Sequence, residues 1–290
     1  MNETVIEQMI AQYDVRSEYD RINAMKEVIQ EIVLCGLSRA GFFKKAAFYG
    51  GTALRMFYGL QRFSEDLDFS LTEKNADFAL EDFFPVLTDE VNAYGLDMEI
   101  QKKDKTKQSA VQSAFVKGNT REHLLIFYPG EALSGRIDTK EKIKIKFEID
   151  TNPPSGATYQ RKFRLLPSPY EVNMYDEGSL FAGKIHAVIC RGWKDRVKGR
   201  DLYDYVFYLS RHAKVNLSHL RARLVDSGYI EADSSCSIED VRQMLYDRFD
   251  SIDFEQAKAD VIPFIKDTES LGIWSADFFK SITESLDDRI

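Results

Sequence analysis

The sequence predicts an α/β protein, with a mixed sheet flanked by helices in its N-terminal part and an all-helical domain in its C-terminal part. The runs that we assign to strands all lie before residue 167. Apolar residues at helical spacing dominate after the Pro-Ser-Pro segment at 167–169, which is the best candidate for a linker. We therefore predict one domain at residues 1–166 and a helical bundle at residues 170–290, with the active site in a cleft between them.

Local periodicity predicts the elements in chain order. Residues 1–43 show helical spacing, and a second helix is expected at 76–94 with a disturbance at Pro85. The strand-like runs are residues 98–102, 114–117, 123–128, 142–150 and 159–166. The predicted C-terminal helices are residues 179–191, 200–211, 217–226, 238–249, 254–266 and 276–286.

The composition allows a substantial core, since 44% of the 290 residues are hydrophobic. The net charge of −8 argues against a chain that coats nucleic acid through bulk electrostatics, although basic clusters such as residues 140–146 and 194–198 would suit an RNA groove. No apolar run is long enough to span a bilayer and the acidic start is unlike a signal peptide, so we expect a cytoplasmic protein without a membrane partner. The three cysteines and four histidines lack metal-ligand spacing, so no structural zinc is expected.

A small-residue turn stands at residues 48–55, Phe-Tyr-Gly-Gly-Thr-Ala-Leu-Arg. Gly50 and Gly51 precede Thr52, a residue type that suits the N-cap of a helix beginning at Ala53. Free backbone N–H groups at a helix start bind anions, and glycines let a phosphate approach the backbone closely. The segment therefore indicates a phosphate site, and the alternative interpretation is an ordinary turn.

Two aspartates follow at residues 62–71, Arg-Phe-Ser-Glu-Asp-Leu-Asp-Phe-Ser-Leu. If this segment is a strand, Asp66, Asp68 and Ser70 share one face and the apolar residues share the other. Two carboxylates about 4 Å apart repel by about 4 kcal/mol at an effective dielectric constant of about 20. A hard divalent cation would compensate this repulsion, and Mg²⁺ suits oxygen ligands and phosphates. The alternative is a solvated strand face.

The segment 142–150 offers a third carboxylate and has the clearest alternation in the chain. Its apolar residues point inward, which leaves Lys144, Lys146, Glu148 and Asp150 on the opposite face. Either acid could face the metal. Asp150 could equally belong to the turn that follows, and Glu148 could instead pair with one of the lysines.

The first two predicted C-terminal helices carry a second charged cluster. Lys184 and Arg191 fall on one stripe of the first helix and can reach the same region. Asp201 and Asp204 share a face of the second helix. Asp201 could also be a first-turn acid that is favourable to the helix dipole.

These motifs resemble the nucleotidyltransferase superfamily, whose pattern is an apolar residue, Gly-Gly, a helix, Asp-x-Asp on a strand and a later acid. The closer resemblance is to the AbiEii/AbiGii toxin family, whose members look like Gly-Gly-Thr-x-Leu followed by Arg-x-Ser-x-Asp-Leu-Asp-Phe, with a Lys-x-x-Ala helix and an Arg-Asp-Leu-x-Asp helix. The resemblance implies the nucleotidyltransferase fold for the mixed sheet. It also favours Glu148 as the third acid, since that residue is bracketed by two apolar ones.

The same resemblance implies a role for each candidate. Asp66, Asp68 and Glu148 would hold Mg²⁺, Lys184 would neutralise the pyrophosphate leaving group, and Asp204 would orient basic side chains or contact substrate. The catalytic candidates are Asp66, Asp68, Glu148 and Lys184. The nucleotide-binding candidates are Gly50, Gly51, Thr52, Ser64, Lys184, Arg191 and Asp204.

The implied activity is Mg²⁺-dependent transfer of a nucleoside monophosphate from an NTP to a hydroxyl. The implied acceptor is RNA, such as a tRNA end, and the implied partner is a separately encoded antitoxin. One alternative is the same chemistry on a small molecule of the antibiotic type, and another is a non-catalytic NTP-binding module. A glycosyltransferase Asp-x-Asp gives no account of the Gly-Gly-Thr turn or of the later acid strand.

Overall fold

The computed structural model describes residues 4–103, 120–129, 142–192 and 197–288. The predicted strand at 114–117 lies outside these residues. Within them, no helix combines the length and apolar composition that crossing a bilayer would require.

The described residues form one seven-stranded mixed sheet in the order β3-β4-β5-β2-β1-β7-β6. Strands β2 and β5 are parallel, as are β1 and β7, and the other neighbouring pairs are antiparallel. The α/β class with a mixed sheet is thereby confirmed. The strands are β1 (Ala46–Tyr49), β2 (Leu67–Leu71), β3 (Leu96–Lys103), β4 (Thr120–Pro129), β5 (Ile143–Asp150), β6 (Tyr159–Arg164) and β7 (Tyr170–Tyr175).

Strand β7 corrects the predicted course of the chain after the Pro-Ser-Pro segment. It lies between β1 and β6, and Tyr170, Val172 and Met174 on one of its faces are buried. The predicted boundary at 166/170 therefore falls between two paired strands of the sheet. The C-terminal helices begin only after residue 176. The division into two domains itself stays a prediction.

Ten α-helices surround the described sheet: α1 (Val5–Ile10), α2 (Glu18–Arg39), α3 (Gly50–Tyr58), α4 (Phe84–Ala93), α5 (Glu177–Cys190), α6 (Gly199–Ser210), α7 (Leu217–Asp226), α8 (Ile238–Phe249), α9 (Phe254–Val261) and α10 (Ala276–Thr283). The predicted helix at 1–43 is interrupted, because Ser17 and Asp20 form a capping box that starts α2. Pro85 disturbs no helix interior, because it lies in the first turn of α4, where its missing N–H costs nothing.

The core lies beneath the face of the sheet opposite the polar residues of β2 and β5. The rings of Phe69 and Phe147 stack at 4.6 Å between centroids, and Phe42 meets Phe69 edge-on at 5.0 Å. Burial alternates along β5 as the sequence predicts. The apolar residues thus fix the register that turns the acids of β2 and β5 to the other face.

Candidate active site

Asp68 and Glu148 lie side by side on neighbouring strands. The parallel register pairs Asp68 with Glu148, and their carboxyl groups are in hydrogen-bonding contact. Asp66, one residue before β2, adds a third charge that acts on Asp68. Asp150 lies opposite Ser70 and accepts a hydrogen bond from the backbone N–H of Asn152 at 2.9 Å, as a turn-forming acid does.

The three acids carry more negative charge than their surroundings compensate. Burial, followed by the charges of Glu148 and Asp66, raises the pKa of Asp68 to about 8. Burial also raises the pKa of Asp66, against the opposing effect of Lys146. Lys146 Nζ lies 2.5 Å from Glu148 Oε1, so Glu148 has a lysine partner on its own strand as well as an acid neighbour.

The donor set suits a hard divalent cation, because all three ligand candidates are carboxylates. Among the described residues, no three His, Cys, Asp or Glu side chains already stand in a metal-holding arrangement. Ligation by all three acids would therefore need them to turn towards a common point. The raised pKa of Asp68 supports this fit, because a cation would relieve the repulsion from Glu148 and Asp66 that adds to the effect of burial.

Helix α3 begins at Gly50, directly at the end of β1 and beside Asp68. Gly50 has a φ of +84°, and a Cβ at this position would collide with Asp68 Oδ2. Glycine is required here for both the backbone angle and the close approach. The first-turn N–H groups of α3, which have no partner within the helix, therefore open next to the acids and suit an anion.

Thr52 is not the N-cap of this helix, and that prediction is wrong. The N-cap is Tyr49, so Thr52 lies within the first turn and is fully buried. Its hydroxyl donates to the carbonyl oxygen of Asp66 at 2.5 Å and lies 2.9 Å from Ser64 Oγ. Thr52 thus holds the acidic segment against α3. Ser64 lies beside Gly51, where an added Cβ would come within 2.9 Å of Ser64 Oγ.

Lys184 on α5 is held between two aspartates of α6. Its Nζ lies 2.7 Å from Asp201 Oδ1 and 2.8 Å from Asp204 Oδ2. Arg191 Nη1 lies 2.5 Å from Asp201 Oδ2, so the structure brings Lys184 and Arg191 to the same region. Burial alone would raise the pKa of Asp201, but Lys184 and Arg191 hold it at about 2.

Arg62 completes this ion-pair network and was not among the predicted site residues. Its Nε and Nη2 donate to the two carboxylate oxygens of Asp204 at 2.5 and 2.6 Å. Both side chains are buried, and Arg62 also donates to the carbonyl oxygen of Phe63. Arg62 precedes β2 whereas Asp204 lies on α6, so the pair joins the sheet to the helices. Asp204 therefore orients two basic side chains, Arg62 and Lys184.

These groups line one cleft of about 420 Å³. One wall carries Gly50, Gly51, Ser64 and the three acids, and the opposite wall carries Lys184, Arg191, Asp201 and Asp204.

Further groups line the cleft beside the predicted site residues. One is Lys146, which the alternation of β5 had placed on the face of Glu148 as a possible partner, and the structure shows that pairing. Tyr49 and Tyr175, whose rings stack at 5.3 Å, and Arg223 on α7 come from separate elements that only the fold brings together.

A family described as nucleotidyl transferase AbiEii toxin, type IV TA system, matches residues 32–282. The crystal structure of JHP933 from Helicobacter pylori is similar in fold, with 18% identity, a TM-score of 0.50, and 93% of this chain and 92% of that chain covered. MenT4, a nucleotidyltransferase toxin from Mycobacterium tuberculosis H37Rv, is 14% identical, with a TM-score of 0.48 and 99% of each chain covered. No curated protein matches the sequence.

The fold and the family match define the class of the protein: it is an enzyme, a nucleotidyltransferase. The match extends over most of the chain, and the protein belongs to the AbiEii family of type IV toxin–antitoxin nucleotidyltransferase toxins. Family membership implies an NTP substrate and an antitoxin partner.

Proposed function

We propose that this chain transfers a nucleoside monophosphate from an NTP to a hydroxyl of an RNA acceptor, such as a tRNA end, with Mg²⁺ as cofactor. The toxin activity would follow from modification of that RNA, and a separately encoded antitoxin would neutralise it. The observation that carries the proposal is the meeting, in one cleft, of the start of α3, the acids of β2 and β5, and Lys184.

Asp66, Asp68 and Glu148 are the residues that would hold Mg²⁺. The ion would supply charge neutralisation at the phosphates and would lower the pKa of the acceptor hydroxyl. The register of β2 and β5 sets the spacing of two of these ligands before any metal arrives. Thr52 holds the third ligand candidate, Asp66, in place, because its hydroxyl donates to the carbonyl oxygen of Asp66.

The remaining residues bind and orient the nucleotide. The first-turn N–H groups at Gly50 and Gly51 would donate to phosphate oxygens, and Ser64 beside them would add a hydroxyl donor. Lys184 would neutralise the pyrophosphate that leaves as the acceptor oxygen bonds to the α-phosphorus. Asp201 and Asp204 hold Lys184 in place, so little rearrangement is needed during transfer.

Basic residues beside the acids support a polyanionic acceptor. Lys198 and Arg200 line the same cleft. The guanidinium of Arg200 lies over the Phe264 ring at 4.2 Å, which helps to hold it in place. A strand of RNA could therefore meet positive charge near the carboxylates although the whole chain is acidic.

The test is incubation of the purified protein with Mg²⁺, each α-labelled NTP in turn and total cellular RNA. We expect label in a discrete RNA band, and loss of that label in Asp66→Ala. The matched control is Asp97→Ala, because Asp97 is an exposed aspartate on β3, outside the cleft. Growth arrest on expression should likewise be relieved by Asp68→Ala.

The other outcomes separate the alternatives. Label in a small molecule without labelled RNA would support nucleotidylation of the antibiotic-modifying kind. Mg²⁺-dependent nucleotide binding without pyrophosphate release with any acceptor would support a non-catalytic module. Equal labelling by the wild type and Asp66→Ala would contradict the role given to the acids.

A further inference from the structure

Arg223 on α7 is a cation that lines the cleft, and the described part of the chain offers it no acidic partner at ion-pair distance. Three other arginines of the cleft are paired: Arg62 with Asp204, Arg191 with Asp201 and Arg200 with Asp260. Within the part of the chain that the structure describes, no carboxylate lies at ion-pair distance from Arg223, and its buried Nε has no hydrogen-bond partner. Arg223 as a whole is only partly buried, but a buried N–H such as its Nε is costly to leave without an acceptor unless a ligand supplies one.

Arg223 lies near residues of both walls of the cleft. A Cβ built on Gly183 would lie 3.9 Å from the guanidinium carbon, and Gly183 directly precedes Lys184. On the other wall, burial raises the pKa of Tyr49 while the charge of Arg223 acts against that rise. Tyr49 directly precedes Gly50. Arg223 thus lies near Gly183 and Tyr49, and these two residues directly precede Lys184 and Gly50 of the proposed phosphate site.

The groups around Arg223 do not neutralise it. Burial and then the charge of Arg223 lower the pKa of His186 to about 2 and that of His219 to about 4, so both imidazoles are neutral at physiological pH. Asp150 is close enough for Arg223 to lower its pKa, but burial raises that pKa and the two groups form no ion pair. Among the residues that the structure describes, the guanidinium therefore lines the cleft without an ion-pair partner.

We infer that Arg223 binds a phosphate oxyanion of the nucleotide, from the side of the cleft opposite α3. This inference rests on the proposed function, because it assumes that the cleft takes an NTP. A guanidinium is suited to the role because its planar donors match two oxygens of one phosphate. Among the described residues, Arg62 and Arg191 each pair with an aspartate, whereas no carboxylate pairs with Arg223.

The test is calorimetric titration of the full chain with each NTP and with inorganic tripolyphosphate, with Mg²⁺ and with a chelator. We expect Arg223→Met to bind NTP and tripolyphosphate about 10- to 100-fold more weakly, a loss typical of a hydrogen-bonded charge. Arg223→Lys should retain part of the affinity because it keeps the charge. The control is Arg16→Met, which removes a cation paired with an exposed aspartate outside the cleft.

Thermal melting of the same variants separates binding from structure. If Arg223 binds a ligand, Arg223→Met should melt at or above the wild-type temperature in the absence of nucleotide. Adding nucleotide should then raise the melting temperature of Arg223→Met less than that of the wild type. A lower melting temperature with unchanged nucleotide affinity would overturn the inference. Weaker binding of RNA alone would also overturn it, since the residue would then serve the acceptor. A wild-type chain that binds neither NTP nor tripolyphosphate would instead refute the proposed function itself.

Discussion

Asp68 shows how a single residue can be poor for stability and useful for function. The apolar alternation of β2 fixes its position, and the register with β5 places Glu148 beside it. The resulting repulsion is a property of the folded chain alone, since the carboxyls are far apart and solvated when the chain unfolds. Strain of this electrostatic kind is common where a cation is to be bound.

The pH dependence of stability should report the raised pKa of Asp68, to which burial contributes most and this repulsion adds. The pKa of Asp68 is about 8 in the folded chain and near its model-peptide value of about 3.9 when unfolded. Between these two values the folded chain holds a proton that the unfolded chain has released. The stabilising contribution of this group is therefore fully present below about pH 4 and is lost as the pH rises through about 8.

Asp68→Asn isolates this effect, because it removes the charge at constant size. In the presence of a chelator, the melting temperature of the wild type should fall relative to that of Asp68→Asn as the pH rises from 5 to about 8.5. Asp97→Asn is the control, since Asp97 is exposed and should run parallel to the wild type. Parallel curves for the wild type and Asp68→Asn would show that folding does not raise the pKa of Asp68.

At this scale the sequence predicted where the acids lie, while their role as metal ligands stays a prediction. Alternation was sufficient for Asp66, Asp68 and Glu148, because a period of two assigns a face without knowledge of the fold. Asp150 shares that face, and only the strand register separates its role from that of Glu148. Arg223 was beyond sequence reasoning, since its significance is the absence of a partner, which spacing cannot reveal.

The start of α3 is the element on which the proposed nucleotide binding depends. It combines a left-handed residue, Gly50, with contact between backbone and the Asp68 side chain. The sequence indicated the glycine pair but placed the helix start three residues too late. Thr52 is a good N-cap by type, yet its hydroxyl is used by the carbonyl of Asp66, a contact that depends on the tertiary fold.

Gly50→Ala should separate strain from function when compared with Gly59→Ala. Both positions have a positive φ, +84° and +79°, so each substitution should cost about 1–2 kcal/mol of unfolding free energy. At Gly59 no atom lies within 4 Å of an added Cβ, whereas at Gly50 the Cβ displaces the Asp68 carboxylate. We expect Gly50→Ala to lose transfer by about 100-fold, as a misplacement of about 1 Å can cause, while Gly59→Ala stays active.

Denaturant unfolding measures the unfolding free energy of the two variants, and the labelling assay measures their transfer activity. Equal activity of the two variants would show that the approach of Gly50 to Asp68 does not matter.

Strand β7 is the element that sequence analysis missed. Its alternation of Tyr170, Val172 and Met174 was present in the chain, but the preceding prolines indicated a linker. Prolines mark a change of direction and do not show whether the chain leaves the sheet or returns to it. Here the chain returns, and β7 fills the place between β1 and β6.

For the whole molecule, the cleft depends on how the sheet and the helices after residue 176 are held together. Arg62 and Asp204 make a bidentate pair across that junction, and Lys184 shares the same carboxylate. Burial would raise the pKa of Asp204, but the two cations keep it below its usual range. The carboxylate is therefore ionised, and the junction depends on a fully buried charge.

Asp204→Asn should be strongly destabilising. It leaves the buried Arg62 guanidinium without a counter-charge, and removing one partner of a buried ion pair typically costs about 3–5 kcal/mol. The control is Glu177→Gln, which removes a partner of Arg211 at 2.9 Å in a half-exposed pair and should change stability by less than about 1 kcal/mol. Equilibrium unfolding in urea gives both values. If the two variants lose equal stability, the Arg62–Asp204 pair does not hold the junction. If Asp204→Asn alone loses stability and its unfolding splits into two transitions, the sheet and the helices are separate folding units that this pair couples.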